Sequence, residues 1–114
     1  GKWSKKEILG HLIDSALTNQ RRFIVSQYEQ GTKIIYFQDE WVELQFYQTA
    51  DVNDLIELWR LLNLQIARTV ENIPTNKLKN LCDTGRTGYE PHDIDFLITD
   101  YITHLRHHLQ HIVS

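Results

Sequence analysis

Four of the six histidines of this 114-residue chain lie in its last stretch, DYITHLRHHLQHIVS, at positions 104, 107, 108 and 111. A neutral imidazole is a metal ligand and a proton carrier near neutral pH, so such a cluster raises the question of coordination chemistry. On a helix each residue advances about 100°, which lets the cluster be set against its apolar stripe. With Ile98 at zero, Ile94, Tyr101, Ile102, Leu105, Leu109 and Ile112 gather within roughly 60°. His108 falls at about −80° and His104 at about −120°, on the flank of the stripe, with His111 and His107 progressively nearer solvent. His104 and His108 also form an i, i+4 pair, stacked one turn apart so that both rings can reach one cation. Two imidazoles hold a metal weakly. His11, beside the apolar stripe of the first visible helix, is the candidate for the third. Three imidazoles with open positions is the layout of a catalytic site rather than a structural one. Asp14, one turn after His11, is either a carboxylate orienting an imidazole N–H or a surface charge.

The bland alternatives have their own physical basis. Histidines on a terminal helix commonly form a solvated face, and the C-terminal end of a helix dipole favours cationic side chains in any case. His92 follows Pro91 at a helix start, where capping or exposure is expected. Arg22 and Arg106 could contact an anionic substrate, although arginines on helix surfaces are usually solvated. Carboxylate-type sites built on Glu-x-x-His repeats are not encoded.

The elements that must carry these residues are mostly helical. Ser4 and Glu7 spell a capping box, and Ile8, Leu9, Leu12, Ala16, Asn19 and Phe23 recur on one face, predicting a helix from about Lys5 to Glu29. The stretch from Gly31 to Ala50 is aromatic-rich with imperfect alternation and reads as a long, partly buried crossover with extended pieces. From Asp51 to Asn72 the pattern is clearly helical, with Asp51 or Asn53 as cap, Leu55, Leu58, Trp59, Leu62, Ile66 and Val70 as the apolar stripe, and Pro74 beyond its end. Trp59 is expected to be a core anchor whose truncation to alanine costs roughly 3–5 kcal/mol. A turn-rich loop follows, and the last helix runs from about His92 or Asp93 to the C-terminus. Asp93 and Asp95 sit where a helix dipole favours negative charge.

Three long helices and a crossover of some twenty residues suggest a four-helix bundle with one helix outside this chain, since long crossovers occur when successive helices run parallel. The chain has no methionine and enters a helix almost at once, so an N-terminal segment preceding Gly1 is expected. Residues 1–114 form a single domain. A formal charge of −3 leaves no electrostatic footprint for nucleic acid. No apolar run approaches the ~20 residues of a membrane span, and no signal-peptide pattern opens the chain. The single cysteine, Cys82, can make no internal disulfide, in keeping with a reducing, cytoplasmic setting. Nothing beside Cys82 would activate its thiol except the more distant Arg86, so a packing role is expected.

The segments WSKKEILGHLIDSALTNQRRF, DLIELWRLLN and YITHLRHHLQHI occur in the order seen in the DinB/YfiT-like superfamily of metal-dependent enzymes, which the chain resembles over most of its length. The resemblance implies an all-α, up-down-down-up four-helix bundle, here with the first helix apparently absent and a long crossover between the first and second visible helices. It implies three metal-binding histidines that map onto His11, His104 and His108, holding a divalent metal ion, nickel or zinc. It further implies a homodimer and a small-molecule substrate, with either hydrolysis or S-transfer of a low-molecular-weight thiol in stress response or detoxification. If the natural protein lacked the first helix, apolar surface would be left bare for a partner chain to cover. A non-catalytic bundle with a structural or incidental metal, acting as a dimeric interaction protein, is the competing expectation. Neither nucleic acid nor a membrane is expected as a partner.

Overall fold

A computed structural model describes residues 2–113. The chain runs α1 (Lys5–Tyr28), β1 (Thr32–Lys33), α2 (Gln38–Gln45), α3 (Val52–Glu71), β2 (Leu81–Asp83), β3 (Pro91–Asp93) and α4 (Ile94–Val113), with single 3-10 turns at Tyr47–Thr49 and Thr75–Lys77. None of the described helices is long and apolar enough to cross a membrane.

Local chemistry sets the helix ends. The Ser4 hydroxyl accepts from the Glu7 amide at 3.1 Å and the Glu7 carboxylate accepts from the Ser4 amide at 2.9 Å, completing the capping box of α1. Asp51 accepts from the Asn53 amide at 2.7 Å to start α3, and Asp93 accepts from the Phe96 amide at 2.7 Å at the start of α4. Each bond satisfies an amide that has no partner within the helix. Gly31, at φ +80°, makes the turn out of α1 that a residue with a Cβ would resist.

The central element is α1. It packs against α2, α3 and α4, whereas α3 and α4 barely touch one another. Phe23, Ala16, Ile66, Ile94, Leu97 and Tyr101 form one core where α1 meets α3 and α4. A second forms where Leu9 and Ile13 meet Val42, Tyr47 and Leu55. Between α3 and α4 lies an apolar cleft of about 330 Å³ lined by Ile66, Val70, Ile98 and Leu105, crossed at its floor by a hydrogen bond of 2.6 Å from the Tyr101 hydroxyl to Asn63.

Two parts of this architecture differ from the sequence expectation. The 31–50 crossover contains the helix α2, which buries only Val42 and therefore shows no apolar stripe from which it could be recognised. The loop before α4 holds two short strands, which with β1 make a three-stranded sheet of order β1-β2-β3, parallel then antiparallel, in register Thr32↔Cys82 and Cys82↔His92. Strands of two or three residues carry too little alternation to be read, and their pairing is made by chain segments far apart. Cys82 is fully buried in the middle strand, a packing position. This sheet clips the end of α1 to the start of α4.

The apolar stripe of α3 is narrower than its sequence suggests. Leu55 and Ile66 are buried, but Leu58 is 45% exposed and Trp59 only half-buried against the second core, its indole N–H without a partner among the described residues. The cost of Trp59→Ala accordingly falls to roughly 2 kcal/mol, below that of a fully buried tryptophan. Urea unfolding of the variant checks this; a loss of 4 kcal/mol or so would show that Trp59 is the anchor after all.

Candidate metal centre

His11 sits on the inner face of α1 among Leu9, Leu12 and Ile13 and is only 4% exposed. Its ring lies between two aromatic neighbours, Trp3 at 4.8 Å and Tyr36 at 5.8 Å between ring centres, the latter nearly parallel. Its Nδ1 is 2.8 Å from the Tyr36 hydroxyl, and that hydroxyl is also 3.4 Å from the His11 carbonyl oxygen. Where the phenol gives its one proton to the carbonyl, it accepts from Nδ1–H. That tautomer leaves Nε2 with its lone pair, the form a metal ligand needs. Tyr36 is held in the protonated phenol form, since burial pushes its pKa up.

From α4, His108 meets His11 edge-on with ring centres 4.8 Å apart, and His104 stands 6.4 Å from His108. His108 is half-buried, as the helical wheel expects, whereas His104 is exposed together with His107 and His111. His107 and His111 continue the row outward, 5.5 Å from His108 and 4.8 Å from each other respectively. Among the described residues no three His, Cys, Asp or Glu side chains already stand in a metal-holding arrangement. Two imidazoles sharing one tetrahedral ion have ring centres about 5 Å apart. The His11–His108 pair already satisfies that spacing and the His104–His108 pair is too wide. His104 is exposed, so a rotamer change that brings it in costs little. The donor set fits a divalent ion with that one adjustment.

The electrostatics suit neutral imidazoles. Burial, then the nearby His108 and His104, lower the His11 pKa to about 4, with Asp39 opposing. His108 is lowered as well, chiefly by burial and then by His107, His104 and His111. Both groups are thus unprotonated at neutral pH. A depressed base destabilises the fold in acid. Between the unfolded value near 6.5 and the folded value of about 4, the unfolded chain takes up a proton that the native state refuses, so stability is full above that window and falls as pH drops through it. The expected loss is about 1–2 kcal/mol, measured by urea unfolding at pH 7 and pH 4 in chelator. The buried Asp14, whose pKa burial raises, works in the opposite sense. The difference between wild type and His11→Gln therefore isolates the histidine, and an equal acid loss in both would contradict the assignment.

Asp14 does not orient an imidazole. It is fully buried, and its Oδ1 accepts from the Tyr47 hydroxyl at 2.5 Å and from Gln45 Nε2 at 2.7 Å, while Oδ2 has no partner among the described residues. The reason lies one turn earlier. Gly10 and Asp14 share a ridge of α1 at i, i+4, and the Tyr47 ring lies directly on the bare Gly10 backbone, which aims its hydroxyl at the carboxylate. The group that orients His11 is Tyr36, which comes from the crossover and carries no periodic signal in the sequence. His92 is half-buried, stacked on Phe96 at 4.4 Å and 3.1 Å from a Glu90 carboxylate oxygen, well apart from the other five histidines. Of the two arginines, Arg106 is exposed as expected, but Arg22 is buried.

Beside the histidines opens a polar cavity of about 220 Å³ whose walls include His11, His104, Tyr36 and Arg22. Other clefts are larger, but this one adjoins the imidazole cluster.

No family model matches the chain. A curated relative from Bacillus subtilis (strain 168), named "Putative metal-dependent hydrolase YfiT", is 25% identical over a 120-residue alignment that spans 100% of this chain and 64% of the relative. The solved structure of YfiT from Bacillus subtilis, described as a probable metal-dependent hydrolase with an unusual four-helix bundle topology, superposes with a TM-score of 0.90 at 25% identity. That superposition covers 99% of this chain and 65% of YfiT, so the chain spans less than two thirds of the protein it matches.

Proposed function

Because the chain belongs to the DinB/YfiT-like superfamily, we propose that it forms a divalent-metal site on His11, His104 and His108 and catalyses metal-dependent hydrolysis of a small molecule. The observation that carries this reading is the meeting of His11, from one end of the chain, with the His104–His108 turn, from the other, at the wall of a polar cavity. A bound zinc or nickel ion would supply Lewis acidity to a substrate carbonyl and to a nucleophilic water or, in a thiol transferase, a low-molecular-weight thiol.

The chain's own groups do the rest. Tyr36 orients the His11 ring through its hydroxyl, and Trp3 packs against the same ring at 4.8 Å between ring centres. Low pKa values keep His11 and His108 free of protons that would compete with a metal. A cavity of about 220 Å³ is of a size for a small substrate.

The test loads chelator-treated, tag-free protein with zinc or nickel, counts bound metal, and screens amide and ester hydrolysis and thiol consumption with wild type and His104→Ala. The expected result is one ion per chain and a turnover that His104→Ala removes. Metal bound in full with no turnover on either substrate class would favour a structural metal in a non-catalytic bundle. Substoichiometric binding would overturn the site itself.

A further inference from the structure

Arg22 is a buried guanidinium that makes no direct ion pair among the described residues, Asp100 and Glu90 acting on it only at longer range. It is only 9% exposed, and among the described residues no carboxylate lies within ion-pair distance of it. Nε and Nη2, which share one edge of the group, both donate to the Ile34 carbonyl oxygen, at 3.2 and 2.8 Å. The mini-sheet holds that carbonyl in place, since the Ile34 amide donates to Asp83 O at 3.0 Å. The other edge, Nη1 with the remaining N–H of Nη2, has no partner among the described residues, although Arg22 forms part of the cavity wall beside His11 and His104. A buried cation is costly unless something pairs with it. A fixed two-pronged donor facing a cavity is the shape that planar carboxylates take up in bidentate fashion.

The charge balance narrows the ligand. The cavity wall carries Arg22 and Arg86 against Asp100. Arg86 lies over the Phe37 ring at 4.8 Å and 3.9 Å from Glu40, so it stands at the rim with a neighbour already. With Arg86 taken up by Glu40, and Asp100 and Glu90 the acidic groups nearest Arg22, the cavity offers one free guanidinium edge and no large excess of positive charge, which suits a monoanion better than a doubly charged phosphate.

We propose that this cavity is a carboxylate-recognition subsite, in which the free edge of Arg22 takes the carboxylate of a small monoanionic substrate and presents the rest of that molecule to His11 and His104. This deepens the function proposed above and rests on it for the word substrate, but the subsite binds its anion whether or not a metal is bound. Acetate titrated into the chelator-treated chain at constant ionic strength, with the Arg22 Nε–H signal followed by 1H–15N NMR, is expected to give a saturable shift. Acetamide, of the same size and uncharged, is expected to give none, and inorganic phosphate is expected to bind more weakly than acetate. Arg22→Gln, which keeps a donor for the Ile34 carbonyl, should weaken acetate at least tenfold while zinc titrates as in wild type. Asp100→Asn, at a half-buried position, should tighten acetate several-fold and keeps the test decisive if Arg22→Gln does not fold. Acetamide shifts equal to those of acetate, acetate affinity unchanged in either variant, or phosphate binding the tighter would overturn the proposal. A wild-type chain that binds acetate saturably but not zinc would instead sink the metal reading and leave the subsite standing.

Discussion

Replacing His11 with alanine is expected to weaken zinc or nickel binding by more than about 100-fold, since loss even of a partner that only orients a ligand typically costs 10–100-fold. His11 should dominate because its ring is pre-oriented: two aromatic side chains hold its plane and the Tyr36 hydroxyl holds its tautomer. A buried, pre-set ligand gives up little rotamer freedom on binding, whereas exposed His104 gives up more. The affinities measured by chelator competition should therefore fall in the order His11→Ala and His108→Ala largest, His104→Ala smaller, and His107→Ala and His111→Ala unchanged. Tyr36→Phe, which leaves the ring stack but removes the hydroxyl, should fall about tenfold. If His11→Ala bound metal as wild type while His107→Ala lost it, the ion would belong to the exposed row of α4, and the site would be a surface chelate.

Gly10→Ala is expected to destabilise the fold by roughly 3 kcal/mol, even though alanine is the better helix former by about 1 kcal/mol. A Cβ at position 10 would fall within the Tyr47 ring. The ring must move, and with it goes the hydroxyl that bonds Asp14, a fully buried carboxylate already carrying one unpaired oxygen. Overpacking and the loss of a buried hydrogen bond thus add at one position, next to His11. Urea unfolding measures the loss, and Tyr47→Ala in the Gly10→Ala background should recover part of it by removing the clash, a coupling that a double-mutant cycle reads directly. A Gly10→Ala variant within about 0.5 kcal/mol of wild type would show that Tyr47 does not pack there.

Both predictions depend on features that differ in how far the sequence discloses them. The three long helices were legible because their causes are local. Ser4 and Glu7 are three residues apart, Asp51 caps the amides two and three residues ahead, and a 3.6-residue period repeats within a single segment. The pairing of His104 with His108 is also local, one turn of helix. His11 was selected for its place beside the stripe of α1, and α1 and α4 pack so that the two imidazole positions meet.

What the tertiary structure alone decided are the contacts between segments distant in the chain. Tyr36 reaches His11 across 25 residues, and Tyr47 reaches Asp14 across 33. Both come from a crossover whose short helix buries a single side chain, so no period marks them. The same holds for Arg22. Its spacing puts it on the same flank of the α1 stripe as His11, yet its charge favours solvent, and it is buried because a three-stranded sheet, assembled from residues 32–33, 81–83 and 91–93, places the Ile34 carbonyl over it. Period and capping report the free energy of one segment in water, so the sequence determined the three long helices and which imidazoles could share a face. Which buried polar group meets which partner is set by desolvation, and that exists only once the segments have packed.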